Sequence, residues 1–420
     1  MLRGCIILTI KKRLVLRDIR EMKHIYVGCL VTPGQEHFIF DMAKARITQS
    51  ATTFQRAFLS GFESDQFKPE IINAADIGSW PKRCSKVVIP GSEESLYGMK
   101  CHNVQFFNIT RLKQISIYKS IYRSLLNICK QNSNEEVLIT LYSLLYPYLK
   151  AVVDVKKRYL NVKICCIVPD LPEYFGGANI LLDKVFGQAD NIYDCAKYID
   201  FYILLTEPMR ERLNVFDKPY MVMEGIYSFR ESQKVSKVPL SLLYTGKLDS
   251  RFGLKMLVDG FCQLKDPNLQ LWICGDGDDR NYIIKKAKED SRISYLGLLK
   301  QEEVFRLQAK ASVLINPRSP IGEYTKYSFP SKTMEYMASG TPTMMYKLPG
   351  MPSEYEPHLI LFDDMSQETF IKTLDEWLHK PTAELEELGF AARQFILNNK
   401  TNKKQIERYH NFIKVCYGLI

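Results

Sequence analysis

The chain has 420 residues, of which 46% are hydrophobic and 25% charged, and its formal net charge is +10. At roughly 150 residues per domain this length predicts two or three domains, and the composition excludes a disordered or fibrous chain. The 11 cysteines are scattered and form no CxxC pair. They therefore exclude a zinc ribbon or a secreted disulfide scaffold and indicate reduced thiols in a cytoplasmic protein.

Residues 1–21 are expected to form an extension of uncertain order before the first strand. They contain an apolar run at residues 4–10, but basic residues follow it and no small-residue cleavage site ends it. The run therefore does not predict a signal peptide. Nowhere does an apolar run reach the roughly 20 residues that span a bilayer.

Positive charge is concentrated in the first half of the chain. Residues 1–210 carry 28 Lys and Arg against 20 Asp and Glu, whereas the rest carries 29 against 27. A basic surface attracts anionic lipid headgroups, nucleic acid or a substrate bearing a pyrophosphate, or else faces solvent with no partner. We expect no nucleic acid, because no helix-turn-helix, zinc-finger or RNA-binding signature occurs.

Short apolar runs alternate with amphipathic stretches along the whole chain. The predicted strands are residues 25–30, 104–107, 137–142, 163–168, 202–206, 242–245, 269–274, 313–316 and 343–346. Several runs are apolar at successive positions, which is typical of strands buried on both faces, and the stretches between them have helical spacing. This alternation predicts an α/β fold with parallel sheets covered by helices.

A pause in the alternation divides the chain. We predict a first Rossmann-like domain over residues 22–225, a linker over 226–239, a second Rossmann-like domain over 240–390 and C-terminal helices over 391–420. Parallel sheets bind ligands beyond the carboxyl ends of their strands, so two such domains are expected to face a ligand-binding cleft.

The first informative loop follows the predicted strand at 242–245. Gly246 permits close approach of a ligand to the backbone, and Lys247 and Arg251 are cations four residues apart. They would neutralise an anion at this position, or they are ordinary surface cations around a strand-to-helix turn.

The second loop, at residues 275–280, follows the predicted strand at 269–274. Its Gly-Asp-Gly sequence suits a tight turn near a ligand, with Gly277 at the centre. Asp276 and Asp278 form a DxD pattern that suits a divalent cation. Asp278 or Asp279 is also suited to cap the following helix, and we favour the cap and expect no metal.

The third loop opens a helix predicted to start near Pro330. Ser331 and Lys332 lie in its first turn, where free N–H groups attract an anion and where a cation is unfavourable unless an anion is bound. Glu335 follows one turn later, and a carboxylate can accept hydrogen bonds from both hydroxyls of a ribose. The alternative is an amphipathic helix with incidental polar residues.

These loops together resemble family 4 of the retaining sugar-nucleotide glycosyltransferases, which have the GT-B fold. The matching segments are residues 246–248, 274–278, 295–297, 302–311 and 328–342. The resemblance implies two Rossmann-like domains facing a cleft, with C-terminal helices that cross back to the first domain. It also implies a nucleoside-diphosphate sugar as co-substrate, and neither a cofactor nor a metal.

The resemblance assigns roles to individual residues. The donor-binding set is Gly246, Lys247, Arg251, Gly277, Ser328, Phe329, Ser331, Lys332 and Glu335. Lys247 and Lys332 are expected to stabilise the leaving diphosphate during catalysis, and Glu335 to bind the donor ribose. The family has a second glutamate eight residues before this position, and here Tyr327 stands there. The loss leaves open a catalytically inactive relative.

The acceptor side is expected in the first domain. Asp170 follows the predicted strand at 163–168, where a carboxylate is placed to orient or deprotonate the acceptor hydroxyl or to stabilise a cationic sugar. An ordinary loop aspartate is the alternative, and Glu173 is the reserve candidate. Thr52, Thr53 and Gln55 are expected to face the acceptor.

The function predicted from these features is transfer of a sugar from a nucleotide sugar to a glycan or lipid-linked acceptor in polysaccharide or glycolipid biosynthesis. The basic first half predicts peripheral contact with an anionic membrane at the cytoplasmic face of the cell membrane. The alternative is an inactive nucleotide-sugar-binding subunit of a polysaccharide assembly complex. A dinucleotide oxidoreductase is disfavoured, because no GxGxxG follows the first strand.

Overall fold

A computed structural model of the chain describes residues 18–45, 49–110, 112–174, 188–231 and 235–420. Most of the predicted N-terminal extension, residues 1–17, lies outside this part. Residues 18–21 pack on the fold, because Ile19 is buried in the first hydrophobic core.

Strands and helices alternate, as the apolar pattern predicts. The first-half strands are β1 (Lys23–Gly28), β2 (Glu70–Asn73), β3 (Val88–Ile89), β4 (Ser92–Leu96), β5 (Met99–Asn103), β6 (Phe106–Phe107), β7 (Val137–Tyr142), β8 (Val162–Val168), β9 (Phe201–Leu204) and β10 (Tyr220–Val222). The helices described there are α1 (Glu36–Met42), α2 (Ser50–Ser60), α3 (Leu112–Gln131), α4 (Tyr146–Arg158), α5 (Gln188–Ala196) and α6 (Met209–Leu213).

Eight of these strands form the first sheet, in the order β10-β9-β8-β7-β1-β2-β5-β4. All neighbours are parallel except β4, which runs antiparallel to β5 at one edge. In the central pairing, Ile25 of β1 lies opposite Ile139 of β7. All six residues of β7 are buried, which explains why that strand is apolar at successive positions. Strands β3 and β6 form a separate antiparallel pair.

The predicted strand at 104–107 is wrong in its bounds. The main strand here is β5, and only Phe106–Phe107 of the predicted run is extended and paired. Lys100 and His102 point away from the core while Met99, Cys101 and Asn103 are buried, so β5 has one polar face near the sheet edge. That alternation makes β5 less apolar than the central strands.

The second domain contains β11 (Val238–Thr245), β12 (Gln270–Cys274), β13 (Ile293–Gly297), β14 (Ala311–Asn316), β15 (Thr343–Tyr346) and β16 (Ile360–Phe362). They form a parallel sheet in the order β13-β12-β11-β14-β15-β16. Its helices are α7 (Leu254–Phe261), α8 (Arg280–Glu289), α9 (Gln301–Lys310), α10 (Ser331–Ala338), α11 (Gln367–Leu378) and α12 (Thr382–Asn399). Two Rossmann-like parallel-sheet domains are therefore present, as predicted.

The last helix, α13 (Asn402–Cys416), returns to the first domain. Its residues Ile406, Tyr409 and Ile413 are buried in the first hydrophobic core. The crossing of the C-terminal helices is thus confirmed, although the predicted boundary at 390 falls inside α12. Within the described residues, no helix combines the length and the apolar character needed to traverse a bilayer.

A buried ion pair ties the connection between the domains together. The Nζ atom of Lys400 lies 2.5 Å from carboxylate oxygens of Glu224 and Glu354, and the side chains of Lys400 and Glu224 are each 1% exposed. Tyr355 donates a hydrogen bond to Glu224 as well, at 2.6 Å. Backbone bonds join Tyr227 to Lys400 and Asn402 beside this pair. We call Glu224, Glu354, Tyr355 and Lys400 the hinge cluster.

Candidate functional site

Two of the predicted loops interlock at the carboxyl edge of the second sheet. The N–H of Gly246 donates to the carbonyl of Cys274 at 2.9 Å, and the N–H of Leu248 donates to the carbonyl of Asp276 at 3.0 Å. The N–H of Asp279 then returns a bond to Leu248. The loops after β11 and β12 therefore form one rigid backbone surface.

Glycine is required in the second loop by this close packing. Gly275 and Gly277 have φ values of +146° and +158°. A Cβ atom at Gly275 would collide with the carbonyl oxygen of Gly246, and one at Gly277 would collide with that of Leu248. Gly277 therefore lets the two loops approach each other, and its contact with the donor stays a prediction.

Lys247 and Arg251 share one acidic partner. The side chain of Asp249 is 6% exposed and lies 3.3 Å from Lys247 and 2.6 Å from Arg251. The Arg251 hydrogen bonds, followed by other contacts that include Lys247, hold the pKa of the Asp249 carboxyl well below its ordinary value. Two exposed cations with one buried anion leave a net positive loop. Sequence reasoning missed Asp249, although its place two residues before Arg251 suits a cap of the short turn there.

Lys332 and Glu335 lie at the start of α10, next to the first loop. The Cε atom of Lys332 is 3.7 Å from the position that a Cβ would take at Gly246, and its Nζ is 3.5 Å from Glu335. The helix begins at Ser331 after Pro330, and no side chain caps it. Its first N–H groups and positive dipole end therefore face the same region as Lys332.

Glu335 is held in place by a residue that sequence reasoning missed. Gln308 of α9 is buried and donates to the Glu335 carboxylate at 2.7 Å. The same amide group lies 3.4 Å from the Thr245 hydroxyl, at the end of β11. A buried glutamine on the otherwise apolar inner face of α9 is the sequence signal that could have identified it.

The remaining donor-binding candidates differ in their surroundings. The hydroxyl of Ser328 accepts a hydrogen bond from Arg318 at 2.8 Å and donates to the Tyr324 carbonyl at 2.9 Å. Phe329 is buried, and its ring packs 5.0 Å from that of Tyr355. Its side chain is therefore part of the core, in contrast to Ser331, which is exposed at the first position of α10.

Arg318 is a further cation that the sequence analysis did not select. It follows β14, its guanidinium lies 5.1 Å from the ring centre of Tyr324, and its Nε is buried without a hydrogen-bond partner among the described residues. A Cβ at Gly253 would collide with the carbonyl of Pro317, the residue before Arg318. Arg318 therefore belongs to the same loop cluster as Arg251.

Tyr327 lies where the two domains meet. Its ring is 6.0 Å from that of Tyr174 in the first domain, and the adjacent carbonyl of Lys326 accepts a hydrogen bond from Thr206 at 2.8 Å. The residue in place of the family's first glutamate thus packs across the cleft.

Asp170 lies at the carboxyl end of β8, in the first domain. It is open to solvent, but the surrounding protein desolvates it and raises its pKa to about 6. It makes no hydrogen bond or ion pair with any residue in the described ranges, which leave out 175–187. The reserve candidate Glu173, by contrast, is paired with Arg212 at 2.5 Å and accepts from Tyr193 at 3.2 Å.

The predicted acceptor-facing residues of α2 are largely structural. Gln55 is fully buried and accepts hydrogen bonds from the Cys29 N–H at 3.0 Å and from the Tyr26 hydroxyl at 3.2 Å. Thr52 accepts from the N–H of Val31 at 3.1 Å. The prediction that Gln55 faces the acceptor is therefore wrong, because its polar atoms hold the loop after β1.

The acidic residues of the second loop have separate neighbours. Asp276 lies 3.9 Å from Arg280, whereas Asp279 is buried 3.5 Å from Lys255 at the N-cap of α8. Asp279 occupies the predicted cap position, although its side chain makes no capping hydrogen bond. In the described part of the chain, no three His, Cys, Asp or Glu side chains gather in a way that would hold a metal ion.

Comparison with known proteins gives a family match in the second half of the chain. Residues 239–380 match the family model for glycosyl transferases group 1. No curated protein sequence matches the chain. The matched region contains the interlocked loops, Lys332, Glu335 and Gln308.

Solved structures match nearly the whole chain. They include the lipopolysaccharide outer core galactosyltransferase WaaB (TM-score 0.62, 15% identity), TarM (0.60, 12%) and a sucrose-phosphate synthase from Thermosynechococcus elongatus (0.58, 14%). Each match covers 94% of this chain and 99% of the other. At these identities the likeness establishes the shared fold, and the family match supplies the activity class. The chain therefore has the GT-B fold, and residues 239–380 form a glycosyl transferases group 1 domain in its second half.

Proposed function

We propose that the protein transfers a sugar from a nucleoside-diphosphate sugar to a glycan or lipid-linked acceptor, without a metal and with retention at the anomeric carbon. One observation carries this proposal. Lys332 and Glu335, at the uncapped start of α10, lie against the Gly246 loop that also presents Lys247. Cations beside an uncapped helix terminus suit two phosphoryl groups, and the nearby carboxylate suits the hydroxyls of an attached ribose.

Several structural neighbours support this choice of ligand by what their descriptions state. TarM was crystallised with UDP and α-GlcNAc-glycerol, the pneumococcal O-GlcNAc transferase GtfA with UDP and GlcNAc, and Anabaena HepE with UDP and glucose. WaaB is described as a lipopolysaccharide galactosyltransferase. Retention at the anomeric carbon follows from the family resemblance alone.

The donor site stabilises the leaving group in this mechanism. The bond from the anomeric carbon to the phosphate oxygen breaks, its electron pair stays on the nucleoside diphosphate, and the sugar becomes cationic. Lys247, Lys332 and the N–H groups of α10 face the growing negative charge. Gln308 holds Glu335 in position for the ribose, so the diphosphate is bound in a defined orientation.

The acceptor site supplies the proton acceptor. As the acceptor oxygen bonds to the anomeric carbon, its hydroxyl proton passes to the Asp170 carboxylate. A pKa of about 6 keeps this carboxyl ionised near neutral pH while making it a better base than an ordinary aspartate. The contacts between the domains at Tyr327 and Thr206 support this pairing of a donor site with an acceptor site.

Two lysine variants test the donor site. Lys332→Ala and Lys247→Ala should each lower turnover by about a hundredfold to a thousandfold, the scale for losing one preorganised donor to a developing anion. The measurement is release of nucleoside diphosphate, with a panel of UDP, GDP, ADP and dTDP sugars. Lys403→Ala, an exposed lysine on α13, is the matched control. Lower melting temperatures with unchanged specific activity would make both lysines structural.

Metal independence and stereochemistry have separate tests. Turnover should persist in excess chelator, and activity that disappears until a divalent cation is restored would contradict the metal-free mechanism. Proton NMR of the first product formed should show the anomeric configuration of the donor, and the opposite configuration would contradict retention.

The second candidate is an inactive nucleotide-sugar-binding subunit of a polysaccharide assembly complex. Tyr327 favours it, because an aromatic side chain packed on Tyr174 stands where the family has a glutamate near the donor sugar. This candidate expects nucleoside diphosphate binding by calorimetry with no product for any donor and acceptor pair. If the protein is such an inactive subunit, Tyr327→Glu should gain transferase activity. If it is an active enzyme, the parent chain should already turn over without this substitution.

A further inference from the structure

A cluster of exposed apolar side chains lies on the first domain, outside the donor and acceptor sites. Its members are Trp80, Val87, Val88, Phe107, Leu112 and Ile115. Phe107, Leu112 and Ile115 each expose more than half of their surface. We call this cluster the β3–α3 patch.

The backbone holds the β3–α3 patch together as one surface. Val88 of β3 is the register partner of Phe107 in β6, so both side chains leave the same face of this small sheet while Ile89 and Phe106 are buried. The N–H of Phe107 donates to the Ser116 hydroxyl at 3.0 Å, which fixes β6 beside the first turns of α3.

The remaining members are joined in the same way. The N–H of Asn108 donates to the carbonyl of Val87, and the N–H of Trp80 donates to the carbonyl of Asn108. Leu112 and Ile115 are three residues apart on α3 and therefore lie on one side of that helix. The exposed residues thus form a continuous patch.

Exposed cations lie next to the members of this patch along the chain. Lys82, Arg83 and Lys86 flank it in the chain, and Lys119 and Arg123 continue the exposed line of Ile115 along α3. Through their side chains, none of the five makes a hydrogen bond or ion pair with another described residue. Across residues 77–134 the sequence has nine Lys and Arg and two acidic residues, so most of the excess charge of the first half is here.

The patch also lies at the carboxyl edge of the first sheet, where its parallel strands end. The chain reaches Trp80 after leaving the carboxyl end of β2, and it reaches Phe107 after leaving the carboxyl end of β5. Asp170 follows the carboxyl end of β8, which runs parallel to both strands. The apolar patch and the acceptor side therefore belong to the same edge of the first domain.

From this arrangement we infer that the β3–α3 patch docks the protein on an anionic lipid bilayer. Apolar side chains that enter the headgroup region, with cations around them to meet lipid phosphates, are the features of an interfacial membrane site. A bilayer at this edge brings membrane-embedded acceptors toward Asp170. The inference deepens the proposed function, because it names the surface from which a lipid-linked acceptor would enter the site.

Vesicle sedimentation tests the docking surface with the full chain. The protein should bind vesicles of phosphatidylcholine with phosphatidylglycerol, bind far less to phosphatidylcholine alone, and dissociate as salt screens the lysines. Replacing Lys86 and Lys119 by Gln should lower binding to the anionic vesicles about fivefold each. The double variant Phe107→Ser with Ile115→Ser should lower it at least tenfold.

Matched controls separate the patch from general surface changes. The variants Lys265→Gln with Lys403→Gln, and Phe390→Ser with Val415→Ser, remove equally exposed side chains elsewhere and should bind as the parent does. Failure of the parent chain to bind anionic vesicles at low salt would overturn the inference, and so would equal losses in the controls. A dimer in light scattering that dissociates in the Phe107→Ser, Ile115→Ser variant would identify the patch as a contact between two copies instead.

Calorimetry with UDP on the same proteins keeps this inference apart from the proposed function. Patch variants should bind UDP with the affinity of the parent chain, because the patch belongs to the other domain. A parent chain that binds UDP but no vesicle contradicts membrane docking alone. One that binds vesicles but no nucleoside diphosphate contradicts the proposed transfer reaction alone.

Discussion

At the residue scale, Glu335 is the side chain whose role is easiest to isolate. Glu335→Ala should weaken nucleoside diphosphate binding by ~1–3 kcal/mol, the range for losing hydrogen bonds to a charged group. The measurement is isothermal calorimetry at fixed pH and salt. Glu302→Ala, an exposed glutamate on α9, is the control. Unchanged affinity in Glu335→Ala would remove this residue from the donor site.

The residues that carry this site differ in how far sequence predicts them. Lys332 and Glu335 are separated by one helical turn, and local rules about helix ends are enough to select them. Gln308 precedes Glu335 by 27 residues, and its bond to that carboxylate depends on how α9 packs against α10. The prediction that Gln55 faces the acceptor is wrong for a related reason. A polar side chain on a helix can point into the core and form hydrogen bonds with the backbone of a neighbouring loop.

Asp170 gives a prediction about pH. Because its pKa is raised to about 6, the carboxylate that accepts the acceptor proton is lost as pH falls through that value. We expect kcat/KM to be flat above neutrality and to fall about tenfold per pH unit well below pH 6. Asp170→Asn should abolish this acid limb along with most of the activity.

The control for Asp170 follows from the sign of its pKa shift. Because the pKa of Asp170 is higher in the folded protein than in the unfolded chain, its ionised form opposes folding at pH values above its ordinary pKa. Asp170→Asn should therefore not destabilise the protein near pH 7. Glu173→Gln should keep the acid limb, since Glu173 is paired with Arg212. An unchanged pH profile in Asp170→Asn would show that another group is the base.

At the scale of elements, the buried strands are the most predictable part of the fold. Strands β7 and β15 have the bounds that the sequence predicts, because a strand covered on both faces is apolar throughout. Strand β5 escaped prediction since it lies next to the edge strand and keeps Lys100 exposed. Strands near the edge of a sheet alternate polar and apolar residues because only one of their faces is covered, and a search for continuous apolar runs does not find them.

The hinge cluster is the element-scale feature with the largest expected effect on stability. Lys400→Met removes the only cation that the described residues place against the buried Glu224 carboxylate. Leaving a buried charge unpaired costs ~3–5 kcal/mol, so urea unfolding should occur at a clearly lower midpoint. Adding Glu224→Gln should restore part of the loss, because the uncompensated charge is then gone.

The control for the hinge cluster is Lys403→Met, three residues away and exposed, which should leave the midpoint unchanged. Equal stability of Lys400→Met and the parent chain would contradict the prediction, because it would mean that the Glu224 carboxylate is not left as an uncompensated buried charge.

At the scale of the whole molecule, the two ends of the described chain meet in one core. Tyr409 of α13 donates to or accepts from the Thr140 hydroxyl of β7 at 2.7 Å, and it lies 3.1 Å from the ring nitrogen of His24 in β1. The last helix therefore completes the first domain after the chain has formed the second. Only the family resemblance predicted this crossing, because α13 has the same amphipathic pattern as a helix packed on its nearest neighbours.

This meeting point predicts how the protein responds to acid. Burial lowers the pKa of His24 to about 3, so the folded protein keeps it neutral while the unfolded chain protonates it below about 6.5. The contribution of His24 to stability is complete above pH 6.5 and is lost as pH falls toward 3, by up to ~1.4 kcal/mol per pH unit. His410 in the same layer also has a lowered pKa, so part of the acid sensitivity belongs to it.

His24→Gln separates the two histidines, because glutamine does not titrate. It should cost stability at pH 7.5, where the hydrogen bonds of His24 to Thr140 and Tyr409 are disturbed. Between pH 6.5 and 5, however, the variant should lose about 2 kcal/mol less than the parent chain, measured as the unfolding free energy from urea titrations. His37→Gln, an exposed histidine on α1, should follow the parent curve. Parallel pH–stability curves for His24→Gln and the parent would assign the acid sensitivity to groups other than His24.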